Sequence, residues 1–195
     1  APGYKKARLT VEGADSEIDK VISNMLEVPL VHIVRNSVAH GIEPAAERAG
    51  AGKPEEGTVH IVAGQQGTRF VIEVTDDGRG IHHEQVRRAA LTKGIVTEEE
   101  LGSMSEREIL SLIFKPGFTT AQQADDLKGR GVGLDEVMEK ISAIKGTIDV
   151  DSAVGQGTKV TLSLPLTLAI NTVVLGQVAE ETFATGKATF SISSS

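Results

Sequence analysis

The chain has 195 residues, 39% hydrophobic and 24% charged, the balance of a soluble globular protein with room for one sizeable domain, or a domain and a fragment. With no cysteine it holds no disulfide, thiolate metal site or cysteine nucleophile, and its net charge of -7 argues against nucleic acid as the main partner. Nucleotides stay open, since they need only local positive groups.

In chain order, ARLTVEG reads as a first strand, and Asp15 or Ser16 as the cap of a helix interrupted near Pro29. The stretch VPLVHIVRNSVAHGIE, Val28 to Glu43, carries His32, Asn36 and His40 at every fourth position. At about 100° per residue these three share a narrow polar face, with Leu30, Val34 and Val38 roughly opposite. Pro29 suits a first helical turn and Gly41 a C-terminal cap. A helix facing water would satisfy the pattern, but Lys and Glu are the usual residues of a solvated face. Imidazoles and an amide are what a phosphate or metal site needs. GIEPAAERAGAGKPEEG gives a short helix and a loop marked by Gly and Pro. TVHIVAG and TRFVIEVTD alternate apolar and polar residues around a turn at GQQG, a hairpin in which Phe70, Ile72 and Val74 share a face. After the turn-rich DGRG, helical spacing returns in HEQVRRAALTKG and SEREILSLIF. FKPGFTTAQQADDLKGR, Phe114 to Arg130, is a long polar connection of the sort that forms lids and binding loops. GVGLDEVMEKISAIKG is helical again, and TIDVDSAVGQGTKVTLSLPL makes a second hairpin.

Hairpins separated by helices, without βαβ crossovers, predict an α+β fold: a mostly antiparallel sheet covered on one face by helices. Past Pro165 the chain turns β-prone and rich in Thr and Ser, the opening of another module too short to bury its own core. The chain therefore reads as a piece of a longer protein. No run of about 18 apolar residues offers a membrane span, and APGYKKARLT lacks a secretory apolar core, so a cytoplasmic location without membrane insertion is expected.

Three further stretches carry chemistry. In TDDGRGI, Thr75 to Ile81, a strand ends on a carboxylate followed by two glycines. Asp76 can accept a hydrogen bond from an exocyclic amine, while Gly78 and Gly80 let a flat ring approach the backbone. The same letters also spell a simple acidic turn, and Asp76 with Asp77 has too few carboxylate neighbours for a metal site. In KGRGVGLDEV, Gly129, Gly131 and Gly133 open directly into a helix whose free amides and dipole form an anion site, although a flexible hinge has the same composition. The GxGxG spacing after a polar loop is neither a P-loop nor a dinucleotide fingerprint. In GQGTKV a tight turn delivers Thr158 to a strand start, as in any ordinary hairpin. His60, in a strand, and His82 and His83, beside a turn, read as structural or surface residues.

In this order, an Asn-bearing helix, DxGxG, FKPGF, GRGVG and GxGT resemble the ATP-binding fold shared by histidine kinases, gyrase-type topoisomerases, mismatch-repair ATPases and heat-shock chaperones. That fold is a Bergerat-type two-layer α/β sandwich, with a mostly antiparallel mixed sheet and an ATP lid. Within the group, PLVHIVRNSVAHGIE, IEVTDDGRGI, FKPGFTT, GRGVGLDEV and LPLTLAI are similar to the catalytic module of chemotaxis sensor kinases of the CheA type, over residues 8 to 170. The resemblance implies a catalytic ATP-binding domain over residues 1–164, with 165–195 leading to and opening a regulatory, coupling-protein-like domain.

It also implies ATP and Mg2+ as cofactors. Asp76 would accept the adenine amine, Gly78 and Gly80 would give the ring room, and Thr158 would assist through water. Asn36 would ligate magnesium, Gly129, Gly131 and Gly133 would cradle the phosphates beneath a lid from Phe114 to Lys128, and His40 with Arg35 would stabilise phosphate charge. His32 stands where the ATP-hydrolysing relatives carry a water-activating Glu. An imidazole there suits an enzyme that hands the phosphoryl group on, by accepting a proton from an incoming imidazole or by a hydrogen bond to the terminal phosphate. His32, Asn36 and His40 are the candidate catalytic residues.

The implied reaction is transfer in trans to a histidine of a separate phosphotransfer domain. A response regulator would act downstream, and a coupling protein and receptor array would be reached through the C-terminal region. The isolated domain is expected to be a monomer and the full kinase a dimer. An ATPase clamp of the same group is one alternative, disfavoured by the missing Glu. A nucleotide-binding signalling module with weak or no catalysis is the other, kept open by Ala39, where these kinases commonly carry an acidic residue.

Overall fold

The computed structural model describes residues 3–13, 20–118, 133–165 and 188–194. Its strands are β1 (Lys5–Glu12), β2 (Glu56–Gln66), β3 (Arg69–Asp76), β4 (Thr147–Ala153), β5 (Gly157–Pro165) and β6 (Ala188–Ser194). They form one sheet in the order β4-β5-β3-β2-β1-β6. The helices are α1 (Lys20–Asn36), continued by a π turn over Ser37–Gly41, then α2 (Ala45–Gly50), α3 (His83–Thr92) and α4 (Glu98–Ser103). After them come α5 (Glu106–Ser111), continued by a 3-10 turn over Leu112–Phe114, and α6 (Leu134–Ala143).

Side-chain alternation decides the layering. Leu9 lies in register with Val59, Ile61 with Val74, Ile72 with Leu162, and Leu162 with Ile148. All of these are buried. Arg8, Thr58, Thr75, Lys159 and Asp149 take the alternate positions and are exposed. Because successive side chains of a strand point to opposite faces, one face of the sheet is apolar and the other polar. Leu26, Leu30, Ile33 and Val34 of α1, Val86 and Ala90 of α3, Ile109 and Leu110 of α5, and Val137 and Ile141 of α6 join the apolar face in one core. The fold is thus α+β in two layers, as the sequence predicts.

Local signals and tertiary structure part company in three places. α1 is not interrupted at Pro29, which sits inside it. An interior proline costs about 3 kcal/mol, but Leu26, Leu30, Ile33 and Val34 around it are 0 to 3% exposed. At about 1.5–3 kcal/mol for each buried side chain, that packing outweighs the break. Secondly, β1 and β2 are parallel, joined through α1 and α2, so the expectation of hairpins alone holds for β2–β3 and β4–β5 but not for this crossover. Thirdly, β6 adds to β1 in parallel, so part of the stretch past Pro165 lies in this same sheet.

Candidate active site

α1 ends by widening. The N–H of Ile42 donates to the Ser37 carbonyl at 2.7 Å, five residues back, in a π turn of a kind frequent at functional sites. Ser37 and Val38 turn inward. Asn36, Ser37, His40 and Gly41 come to line a pocket whose other walls are Ile81, the Phe114 and Phe118 rings, and Thr158 with Val160 on β5. Its volume is near 210 Å3, several times the ~30 Å3 of a water molecule, so it is room for a ligand.

One end of this apolar pocket holds a single carboxylate, Asp76, at the end of β3 and 4% exposed. Its Oδ1 accepts from the N–H of Gly78 at 3.0 Å and of Thr158 at 3.3 Å. Burial raises its pKa above the ordinary 3.8, opposed by those two amides and the Ser37 hydroxyl and helped by Asp77. Beside it, Ser152 Oγ donates to the Gly157 carbonyl at 2.9 Å and accepts from the N–H of Ile81 at 2.8 Å. A hydroxyl has one hydrogen, so in the 2.9 Å contact between Ser152 Oγ and Thr158 Oγ1 the donor is Thr158. Thr158 then keeps only lone pairs for a ligand. Two acceptor groups at one end of an apolar slot suit a flat base edge that carries an amino group.

The predicted polar line of α1 divides. Asn36 and His40 line the pocket and His32 does not. His32 instead stands in the field of Arg35, His40 and Asp135. Burial first, then the positive charge of Arg35 and of His40, holds its pKa below the ordinary 6.5, with Asp135 pulling the other way. Its neutral form therefore prevails at neutral pH. Gly133 is the N-cap of α6 and Leu134 lines the pocket, while the first turn carries Asp135 and Glu136. The favourable end of that helix is thus already shared with two carboxylates. The expected lid after Phe118, and Gly129 and Gly131 that follow it, lie outside the described residues. At the lid's root, Lys93 donates to the Phe118 carbonyl and stands 4.8 Å from the centre of the Phe118 ring.

The family described as "Histidine kinase-, DNA gyrase B-, and HSP90-like ATPase" matches residues 25–168. The chain belongs to this ATPase family. It is similar to the chemotaxis protein CheA of Bacillus subtilis (strain 168), 44% identical over 180 residues. It is equally similar to the sensor histidine kinase CheAY of Helicobacter pylori, 44% over 180 residues, and 40% identical over 179 residues to the gliding motility regulatory protein of Myxococcus xanthus. Each match covers 92% of this chain but 27%, 22% and 23% of those proteins. The chain thus spans about a quarter of the length of these relatives. Its ATP-binding domain is CheA-like in sequence.

As a member of the ATPase family the domain binds ATP, and the pocket has the features for it. It gathers Asn36 and His40, Asp76, and Thr158 from three separate stretches of sequence. Gly78 and Gly80 are absent from its wall, and their need for glycine has another cause. A Cβ on Gly78 would lie 2.2 Å from the Gly41 carbonyl oxygen, and one on Gly80, at φ 71°, 2.2 Å from that of Ala153. Backbone packs on backbone there. Sequence reasoning passed over Ser37, Ser152 and a charge cluster in which buried Glu43 and Arg48 meet half-buried Lys53 and Asp77. An arginine and a lysine spaced through GIEPAAERAGAGKP were the visible trace of that cluster.

Proposed function

We propose that the chain is the catalytic ATP-binding domain of a protein-histidine kinase in a chemotaxis-type phosphorelay, passing the terminal phosphoryl group of Mg-ATP in trans to a histidine on a separate phosphotransfer domain. One observation carries this reading: a buried acceptor end at Asp76 and Thr158 and an amide-and-imidazole end at Asn36 and His40 converge on one pocket, in a CheA-like chain. The first end answers to the adenine amine and the second to the phosphates.

The Asn36 amide oxygen is a hard donor of the kind magnesium accepts while keeping water and phosphate oxygens as its other ligands. Once bound, the ion would neutralise charge on the phosphates. His40 and Arg35 would stabilise the same phosphates. The neutral ring of His32 has a lone pair for the proton released by the incoming imidazole as the nitrogen–phosphorus bond forms and the bond to the ADP oxygen breaks. A neutral ring can also donate to the terminal phosphate, and the depressed pKa, which keeps the ring neutral but makes it a weaker base, is compatible with either role. Gly129, Gly131 and Gly133 would cradle the phosphates. A coupling protein and receptor array, a response regulator, a cytoplasmic location and dimerisation of the longer kinase belong to the same reading, with the isolated domain a monomer.

The test incubates the domain with labelled ATP, magnesium and a candidate phosphotransfer domain, beside Asn36→Ala. Label is expected on the partner and to fall at least about 100-fold in the variant. Label in free phosphate alone would mark an ATPase clamp, and nucleotide uptake without either product a binding module.

A further inference from the structure

The turn that carries Asp76 is clamped from behind by charges that take no part in the pocket wall. Lys53 Nζ donates to Glu43 Oε1 at 2.7 Å, to the Gly78 carbonyl at 2.8 Å and to the Asp77 carbonyl at 3.0 Å. Arg48 is fully buried. Its Nη1 donates to Glu43 Oε2 at 2.9 Å and to the Asp77 carbonyl at 3.2 Å, its Nη2 to Asp77 Oδ2 at 2.9 Å, and its Nε to the Pro54 carbonyl at 2.7 Å. Burial alone would raise the Glu43 carboxyl, yet Lys53 and Arg48 hold it below its ordinary 4.5. It therefore stays charged and keeps both cations in place.

The Asp77 carbonyl and the Gly78 N–H belong to one peptide group, and a trans peptide points them in opposite directions. Two cations take the oxygen on one side, which leaves the N–H aimed at Asp76 Oδ1 on the other, 3.0 Å away. Positive charge on the carbonyl also polarises the amide and strengthens its donor. Rotating that peptide would turn its oxygen on the Asp76 carboxylate and strip Lys53 and Arg48 of an acceptor. Oδ1 is held by the Gly78 and Thr158 amides, and the Ser37 hydroxyl also bonds this carboxylate. It is therefore the carboxylate's remaining lone pairs, in the orientation these donors fix, that would meet an amino group.

We infer that Lys53 and Arg48 are positioning residues for base selection: by pinning the Asp77–Gly78 peptide they fix how Asp76 presents itself, and so set the preference for a purine bearing a 6-amino group. This rests on the nucleotide reading above. Lys53 is the better handle, being partly exposed. Removing the fully buried Arg48 would instead empty its site and strip Glu43, Asp77 and the Pro54 carbonyl of a donor at once.

Calorimetry on the full chain, with the magnesium complexes of ATP and of purine riboside triphosphate, which lacks the amino group, gives a wild-type affinity ratio. Lys53→Met is expected to cut that ratio about tenfold by weakening ATP alone, with loss of hydrogen-exchange protection at the Gly78 amide. Lys53→Arg is expected to restore most of it. Equal weakening of both nucleotides, or of neither, would make the cluster merely structural and overturn the assignment. A wild-type ratio near one would instead sink the adenine reading, and the assignment with it, before any substitution is made. Should Lys53→Met not fold, the double variant Glu43→Gln/Lys53→Met removes one charge of each sign and is read by the same ratio.

Discussion

Asp76 is 4% exposed, and the burial that readies its carboxylate for a ligand raises its pKa above the ordinary 3.8 despite the two amides and the hydroxyl that hold it. The stability consequence follows from the sign. A carboxyl whose folded pKa is raised contributes stability that is present below the unfolded value and lost as pH rises through the folded one. At neutral pH the ionised group therefore costs the empty protein stability, and a bound amine would offset that cost. Asp76→Asn keeps the shape and removes the charge. It is expected to lose about tenfold or more in Mg-ATP affinity, while melting a few degrees higher than wild type without nucleotide. The gain should shrink as the buffer is taken down towards pH 3.8. Thermal melts across pH, beside calorimetry, check both halves, and a variant that binds weakly but melts lower at neutral pH would refute the argument.

The glycines of DDGRG and GQGT join elements into a site. Besides the contacts of Gly78 and Gly80, a Cβ on Gly157, at φ 95°, would lie 1.9 Å from the Asp76 carbonyl oxygen. The π turn, the end of β3 and the start of β5 can therefore approach closely only because these residues lack side chains. That closeness lets the Thr158 amide reach Asp76. Gly78→Ala is expected to destabilise the nucleotide-free protein by about 2 kcal/mol or more, read as a lower denaturation midpoint. An unchanged midpoint with weakened nucleotide binding would show that the glycine serves only to admit the ring. Sequence periodicity found these elements because alternation and helical spacing are local properties. It did not find α4, although Thr97 and Glu100 form a capping box that the letters TEEE allow. Pro29 misled it because the burial that holds α1 together comes from partners far along the chain.

For the molecule as a whole, the layered α+β class was legible from periodicity. Asn36, His40, Asp76 and Thr158 of the pocket wall were legible from the short motifs HIVRNSVAH, TDDGRG and GQGT, whereas Ser37 on the same wall was not. The parallel pairing of β1 and β2 and the Arg48–Lys53 clamp were not, since both depend on which segments meet in space. β6 raises a question at this scale, for it joins the sheet beyond the residues that make the pocket. Among the described residues it pairs only with β1, and β1 is separated from the Asp76-bearing β3 by β2. Each described residue of the pocket wall precedes Pro165. A chain ending at residue 165 is therefore expected to keep its Mg-ATP affinity to within about threefold, since none of the described binding groups is removed and 1.4 kcal/mol would be tenfold. Stability should behave differently. Without β6, the outer edge of β1 loses a ladder from Lys5 to Val11 and exposes unpaired amides and carbonyls, so the melting point should fall by a few degrees and self-association should rise. Calorimetry with melts and sedimentation on both lengths separates the effects. A shortened chain that stays monomeric and well folded yet binds Mg-ATP more than tenfold weaker would mean that the segment past Pro165 reaches the nucleotide, and the pocket would have to be redrawn with it.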